Sequence, residues 1–134
     1  MKIYEFEFKR LTPVAVARPY ISVTLSNPVA RQSIMVYALV DTGADECALP
    51  ASFASLLGHH REKGVQKKIE TGNGMTVAYA HTSRISMRDF STDDILIDYM
   101  PNLMTPLLGV HSFLSHFILT IDYPSQKFFL SLEK

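Results

Sequence analysis

The feature that most constrains this 134-residue chain is an apolar run that ends abruptly in an acidic loop. Residues 37–40 predict a buried β-strand because they are aliphatic or aromatic without interruption. The sequence Asp-Thr-Gly-Ala-Asp follows directly at 41–45, where Asp and Thr can hydrogen-bond the nearby backbone and Gly permits a tight path. By itself such a tripeptide is usually an ordinary turn. Here it places one carboxylate, that of Asp41, at the rigid end of a strand.

Composition limits the chain to a few classes of protein. With 47% hydrophobic residues, the chain is long enough for a core of its own but too short for two lobes, so we expect one domain over residues 1–134. Thirteen basic residues balance thirteen acidic ones, which argues against a nucleic acid or an anionic membrane as partner. The single cysteine excludes an internal disulfide and a cysteine-based zinc site.

The first ten residues alternate charged with apolar side chains and lack the continuous apolar core of a signal peptide. No segment approaches the roughly 20 apolar residues that a membrane-spanning helix needs. We therefore expect a soluble cytoplasmic protein, although a piece cut from a larger precursor would have the same features.

Alternating apolar residues and regular turn signals predict an all-β fold with one or two short helices. The expected strands are residues 3–9, 20–25, 34–40, 78–87, 94–100, 117–122 and 127–132. The last two flank the turn at 123–126 and predict a closing hairpin. Residues 51–58 predict a short helix that Gly58 ends, and residues 59–63 a polar surface loop.

A second hairpin is predicted over residues 65–79. Asn73-Gly74 lies between two alternating segments, and Asn-Gly favours tight hairpin turns because both turn positions need positive φ. From the local sequence alone this is an ordinary surface hairpin as readily as a functional one.

The acidic loop continues in a pattern that is more specific than its first three residues. Asp45 is followed by Pro50 after a short apolar segment, and Leu107-Leu108-Gly109 forms a second apolar signature. Over residues 40–50 and 107–114 the chain resembles the retropepsin-like aspartic proteases, which include the retroviral enzymes. The resemblance implies a single-lobe closed β-barrel that is active as a homodimer on extended peptides.

The resemblance also implies roles for individual residues. Asp41 would be the catalytic acid and base, and Thr42 would hydrogen-bond the partner's loop. The implied substrate-binding residues lie in the loop and in a mobile flap at the hairpin tip. The implied site residues are Asp41, Thr42 and Gly43 for catalysis, and Gly43, Ala44, Asp45, Thr71, Gly72, Asn73 and Gly74 for the substrate.

The chain departs from the family pattern after Gly109. Gly109 itself would permit close approach of two backbones. The acid or amide usual in the family a little further on is replaced by His111, with one extra residue before the apolar pair. We expect His111 to serve a structural role rather than to act as a base, and Cys47 to pack in the core.

A mechanism without a covalent intermediate needs two carboxylic groups, one to activate water and one to polarise the carbonyl. No aspartate after Val40 other than Asp41 is followed by Thr-Gly or Ser-Gly, so this chain supplies one such residue. The second would be Asp41 of another copy, across a two-fold axis. Ala44 offers no hydroxyl to the carboxylate, so we expect an optimum near pH ~5 to 6. No metal or cofactor is required.

Two alternatives remain open from the sequence. A catalytically idle dimer of the same fold could bind peptides or partner proteins, because fold alone does not confer activity. The oxygens of Asp41, Asp45 and Glu46 could instead hold Mg²⁺ or Ca²⁺, although the spacing is not that of a calcium loop.

Overall fold

The structure is a computed structural model that describes residues 1–72 and 74–133. Strands dominate it, with one short helix and two 3-10 turns, at Arg61–Lys63 and Leu114–His116. The strands and helix are β1 Lys2–Glu7, β2 Tyr20–Asn27, β3 Gln32–Val40, β4 Ala48–Pro50, α1 Phe53–Leu56, β5 Val65–Thr71, β6 Gly74–Met87, β7 Phe90–Ser91, β8 Ile95–Met100, β9 Leu107–Leu108, β10 Ile118–Asp122 and β11 Lys127–Leu132.

Six of these strands close a barrel, in the order β2, β3, β9, β4, β8 and β6. Closure arises because β6, fourteen residues long, pairs with β8 along one part and with β2 along another. The two-residue strand β9 lies parallel to β3 and antiparallel to β4. The predicted all-β class with a closed barrel is confirmed.

A separate three-stranded sheet, ordered β1, β11, β10, packs beside the barrel. The predicted closing hairpin is present as β10 and β11, and the N-terminal strand of the same chain adds to it. Tyr4 on β1 donates a hydrogen bond of 2.7 Å to Asp89 in the turn between β6 and β7. This contact joins the sheet to the barrel.

One continuous apolar core lies inside the barrel and extends beneath the three-stranded sheet. In β2 the burial alternates cleanly, so Ile21, Val23 and Leu25 point inward. Phe128 and Leu130 do the same from β11. This period of two is the pattern from which the strands were predicted.

The helix is shorter than predicted, covering residues 53–56 rather than 51–58. Gly58 follows it with a φ of +80°, the left-handed conformation that commonly ends a helix. The next segment is not simply a polar surface loop. His59 is half-buried and stacks on His81 of β6 with ring centroids 4.5 Å apart.

The second hairpin is present, but Gly74 lies in its ladder rather than in its turn. Thr71 pairs with Gly74, the first residue of β6. Gly74 has a φ of +102°. Asn73 itself lies outside the described residues.

No helix in the described ranges is both long and apolar enough to cross a membrane.

Candidate active site

The acidic loop, residues 41–46, begins where β3 leaves the barrel wall. The backbone N–H of Asp41 donates to Leu108 of β9 over 3.1 Å, so the strand pairing continues to the first loop residue. The carboxylate oxygen Oδ1 of Asp41 accepts from the N–H of Gly43 at 3.0 Å. The carbonyl of Asp41 accepts from Ala44 at 3.2 Å. The carboxylate is thereby fixed by its own turn, as the sequence predicts.

Gly43 serves this turn through the space it leaves rather than through an unusual backbone angle. It is absent from the residues with positive φ in the described chain. A Cβ placed on it would lie 3.3 Å from Oδ1 of Asp41, tighter than an ordinary contact. A side chain at position 43 would therefore press against the carboxylate that the turn holds.

Residues 108–112, which we call the clamp segment, pack against the acidic loop and hydrogen-bond its backbone. Val110 and His111 donate backbone hydrogen bonds to the carbonyls of Ala44 and Asp45, at 2.9 and 2.8 Å. A Cβ on Gly109 would lie 2.2 Å from the carbonyl oxygen of Glu46. The close backbone approach predicted for Gly109 is confirmed, and only glycine allows it.

A side-chain contact adds to the clamp. Nδ1 of His111 lies 2.9 Å from Glu46, whose other oxygen accepts from Ser112 at 3.5 Å. The hydrogen bond and charge of Glu46 raise the pKa of the His111 imidazole above its usual range. His111 thus contacts the loop outside its turn, consistent with the predicted structural role.

Cys47 closes the loop on the core side. Its side chain is 1% exposed, and the N–H of Gly109 points at its sulfur from 3.3 Å. Burial raises the pKa of the thiol to about 11, so it is un-ionised at neutral pH. The predicted core-packing role is confirmed.

A cleft of about 540 Å³, which we call the loop cleft, separates the acidic loop from β5. Gly43, Ala44 and Asp45 line one side. Asp41 and Thr42 are not part of its lining, and neither are Gly72 and Gly74. The opposite side is formed by residues 67–70 of β5.

The loop cleft also contains an ion pair that sequence analysis missed. Lys67 on β5 contacts both carboxylate oxygens of Asp98 on β8, each at 3.0 Å. Burial raises the pKa of the Asp98 carboxyl, and Lys67 opposes that shift. The available signal was an acid in the otherwise apolar strand Ile95–Met100, where a lone charge implies a partner.

Sequence comparison places the acidic loop and the clamp segment in one family. Residues 29–116, well over half the chain, match the family described as gag-polyprotein putative aspartyl protease. The chain belongs to this family. The match spans β3, the acidic loop, both strands of the β5–β6 hairpin and the whole clamp segment. The resemblance to the retropepsin-like aspartic proteases is therefore confirmed.

Solved structures agree on the fold of this aspartyl protease family member. A retropepsin-like aspartic protease from Rickettsia conorii superposes with a TM-score of 0.71 at 24% identity, covering 96% of this chain and 91% of that one. The EIAV protease complexed with the inhibitor HBY-793 gives a TM-score of 0.50 at 19% identity, covering 74% and 88%. At these identities the likeness establishes a retropepsin-like fold. A search of curated proteins found no match.

Within residues 1–72 and 74–133, no group of three or more His, Cys, Asp or Glu side chains is arranged to hold a metal ion. Asp41, Asp45 and Glu46 are neighbours in sequence, but Oδ1 of Asp41 bonds Gly43 while Glu46 bonds His111. The carboxylates of Asp41 and Glu46 therefore bind different partners.

Proposed function

We propose that this protein is a homodimeric aspartic endopeptidase in which two Asp41 side chains activate water. The observation that carries the proposal is the state of the Asp41 carboxylate. One oxygen is held by Gly43, the side chain is partly exposed, and the other oxygen has no hydrogen-bond partner among the described residues. A fixed carboxylate with one open oxygen suits a group that must meet a water and a second acid.

The chemistry explains why one chain is not enough. General acid–base hydrolysis of an amide needs one group to take a proton from water and another to protonate or polarise the carbonyl. Two ionised carboxylates about 3 Å apart repel by about 5 kcal/mol at an effective dielectric of ~20, so such a pair retains one proton. The shared proton supplies both roles at once. A second copy of this chain provides the matching acid with no further residue type.

The remaining implied roles fit the same arrangement. Thr42 is exposed beside Asp41 and is available to a partner's loop. Gly43, Ala44 and Asp45 line the loop cleft and would contact the peptide backbone. The hairpin of β5 and β6, with its tip at residues 71–74, would fold over the peptide as a flap.

The decisive experiment compares wild-type protein with Asp41→Asn on a diverse peptide pool at several pH values. We expect the wild type to cleave peptides, fastest at mildly acidic pH, and the cleavage rate of the variant to be at least about a thousandfold lower. The substitution keeps size and hydrogen-bonding ability but removes the ionisable group. Undiminished cleavage by Asp41→Asn contradicts the proposal.

The same pair of proteins separates the enzyme from an idle peptide-binding dimer. An enzyme cuts in the wild-type form and holds peptides uncut in the Asp41→Asn form. An idle module retains peptides equally in both forms and cuts in neither.

A further inference from the structure

The loop cleft contains a partly buried ion pair that joins β8 of the barrel to β5 beside it. The Asp98 side chain is 6% exposed, and both its oxygens lie 3.0 Å from Nζ of Lys67. A carboxylate in such a position needs a cation, because an unpaired buried charge is strongly unfavourable. Lys67 and Asp98 line both the loop cleft and an adjoining cleft of about 620 Å³.

Lys67 retains hydrogen-bonding capacity toward the cleft. Its ammonium has three N–H donors, and Asp98 is its hydrogen-bonding partner in the described chain. The Lys67 side chain is 37% exposed, so it can be reached from the cleft. One donor is thus available to a group that enters from solvent.

The facing wall supplies an acceptor. Asp45 is exposed, lines the loop cleft, and its carboxylate makes no hydrogen bond to the described residues. Glu46 beside it is occupied by His111 and Ser112. The cleft therefore offers a donor from β5 and an acceptor from the acidic loop.

The charges of the lining decide which side chain fits. The lining carries charges of both signs. An acidic side chain would meet the carboxylates of Asp45, Glu46, Glu70 and Asp98, and a basic one would meet Lys67, Lys68 and His111. An apolar one would strip water from charged groups without replacing its hydrogen bonds. A neutral carboxamide accepts from Lys67 and donates to Asp45.

We propose that the loop cleft is a specificity pocket for the carboxamide side chain of an Asn or Gln in the substrate, recognised by Lys67 above Asp98 and by Asp45. This inference rests on the proposed function, since it names the substrate class of the same site. Lys67 and Asp45 are specificity residues here, and Asp98 positions Lys67.

Two readouts test it. Wild-type protein is incubated with a peptide pool and its cut sites are mapped by mass spectrometry. In parallel, the Asp41→Asn protein is bound to arrays of one peptide varied at each position, which needs no cleavage. Both are repeated with Lys67→Met/Asp98→Leu, which removes the ion pair together so that no buried charge is left unpaired. Lys63→Met, an exposed lysine outside both cleft linings, is the matched control.

The expected result is a preference of about tenfold or more for Asn or Gln over Leu at one position. The double variant should reverse that preference toward Leu, and the control should keep it. No enrichment, enrichment of charged residues, or a preference that survives the double variant overturns the pocket.

The outcomes also separate the pocket from the proposed function. Cleavage that depends on Asp41 but shows no carboxamide preference overturns the pocket alone. A carboxamide preference on the array, reversed by the double variant, supports the pocket even when the wild type cuts nothing. A protein that neither cuts nor binds any peptide overturns both.

Discussion

At the scale of single residues, Gly109 is the position where the site least tolerates a larger side chain. Its missing side chain lets the clamp segment touch the backbone of the acidic loop, with Glu46 and Ala44 carbonyl oxygens 2.2 and 2.9 Å from a notional Cβ. Neither partner is a flexible side-chain end, so the strain of an added methyl group would be distributed through Asp41's turn. A small change distant from the carboxylate therefore reaches it through backbone.

We predict that Gly109→Ala lowers the free energy of unfolding by about 3 kcal/mol, because the clash is with backbone and one chain must move. Urea unfolding followed by fluorescence or circular dichroism measures this. Gly72→Ala is the control, since nothing lies within 4 Å of its notional Cβ, and it should stay within about 0.5 kcal/mol. Equal losses of unfolding free energy in the two variants would show that the close approach at Gly109 is not the cause.

His111 makes a second residue-scale prediction, with a definite sign in pH. Its pKa is raised in the folded state by Glu46, so its stabilising contribution is complete below the unfolded pKa of 6.5. That contribution is lost as pH rises through the folded pKa. Melting temperatures from pH 5 to 8 should show His111→Gln destabilised at acidic pH and equal to wild type at alkaline pH. A difference that grows with pH would refute the assignment.

At the scale of elements, the base of the β5–β6 hairpin is tied to the barrel by a pair of histidines. His81 on β6 stacks on His59, which contacts Asn27 of β2 and Ser83 of β6. Tyr99 of β8 packs edge-on against both rings and hydrogen-bonds Ser83. Burial, and then the charge of His81, lowers the pKa of His59.

This cluster predicts a pH effect opposite to that of His111. With a folded pKa below the unfolded 6.5, His59 costs stability as pH falls from 6.5 through the folded pKa, because the unfolded chain takes up the proton first. His59→Gln should therefore reduce the fall in melting temperature between pH 7 and 5. His60→Gln, at the exposed neighbouring position, should leave the wild-type profile unchanged. If the melting temperature of His59→Gln fell as much as that of the wild type between pH 7 and 5, the role of His59 would be refuted.

The ion pair between β5 and β8 gives another element-scale prediction. Lys67→Met should lower the free energy of unfolding by about 2 kcal/mol, because it leaves the Asp98 carboxylate buried without a cation. This loss is smaller than for a fully buried pair, since Lys67 is partly exposed to solvent. Adding Asp98→Leu should recover most of that loss. A double-mutant cycle in urea measures the coupling, and purely additive losses would contradict a paired site.

At the scale of the whole molecule, the proposed catalyst is an assembly of two chains. Asp41 of one chain then catalyses nothing without Asp41 of another, so activity requires that the dimer forms. Dilution should lower specific activity, in step with dissociation seen by sedimentation. A specific activity independent of dilution to the point of full dissociation would count against the dimer.

Mixing chains tests the same idea directly. When equal amounts of wild-type and Asp41→Asn chains exchange at random, roughly a quarter of the dimers contain two wild-type chains. Activity should then fall to about half of that given by the wild-type chains alone. An unchanged activity after full exchange would mean that each chain works independently.

The sequence determined a good part of this protein by itself. Alternation, apolar runs and turn signals specified β1, β2, β3 and the β10–β11 hairpin, because these patterns are local and need no tertiary information. The Asp41 turn was also predictable, since its hydrogen bonds join neighbours in the chain. Gly109 was recognisable as a close-approach position, though not the carbonyl it approaches.

Tertiary structure decided what depends on distant partners. The strands β4, β7 and β9 are two or three residues long, too short for any period, and exist because neighbouring strands pair with them. The Lys67–Asp98 pair, the His111–Glu46 contact and the His59–His81 stack join residues far apart in sequence. No local pattern encodes such pairs, because each residue needs a partner that only the folded barrel brings within reach.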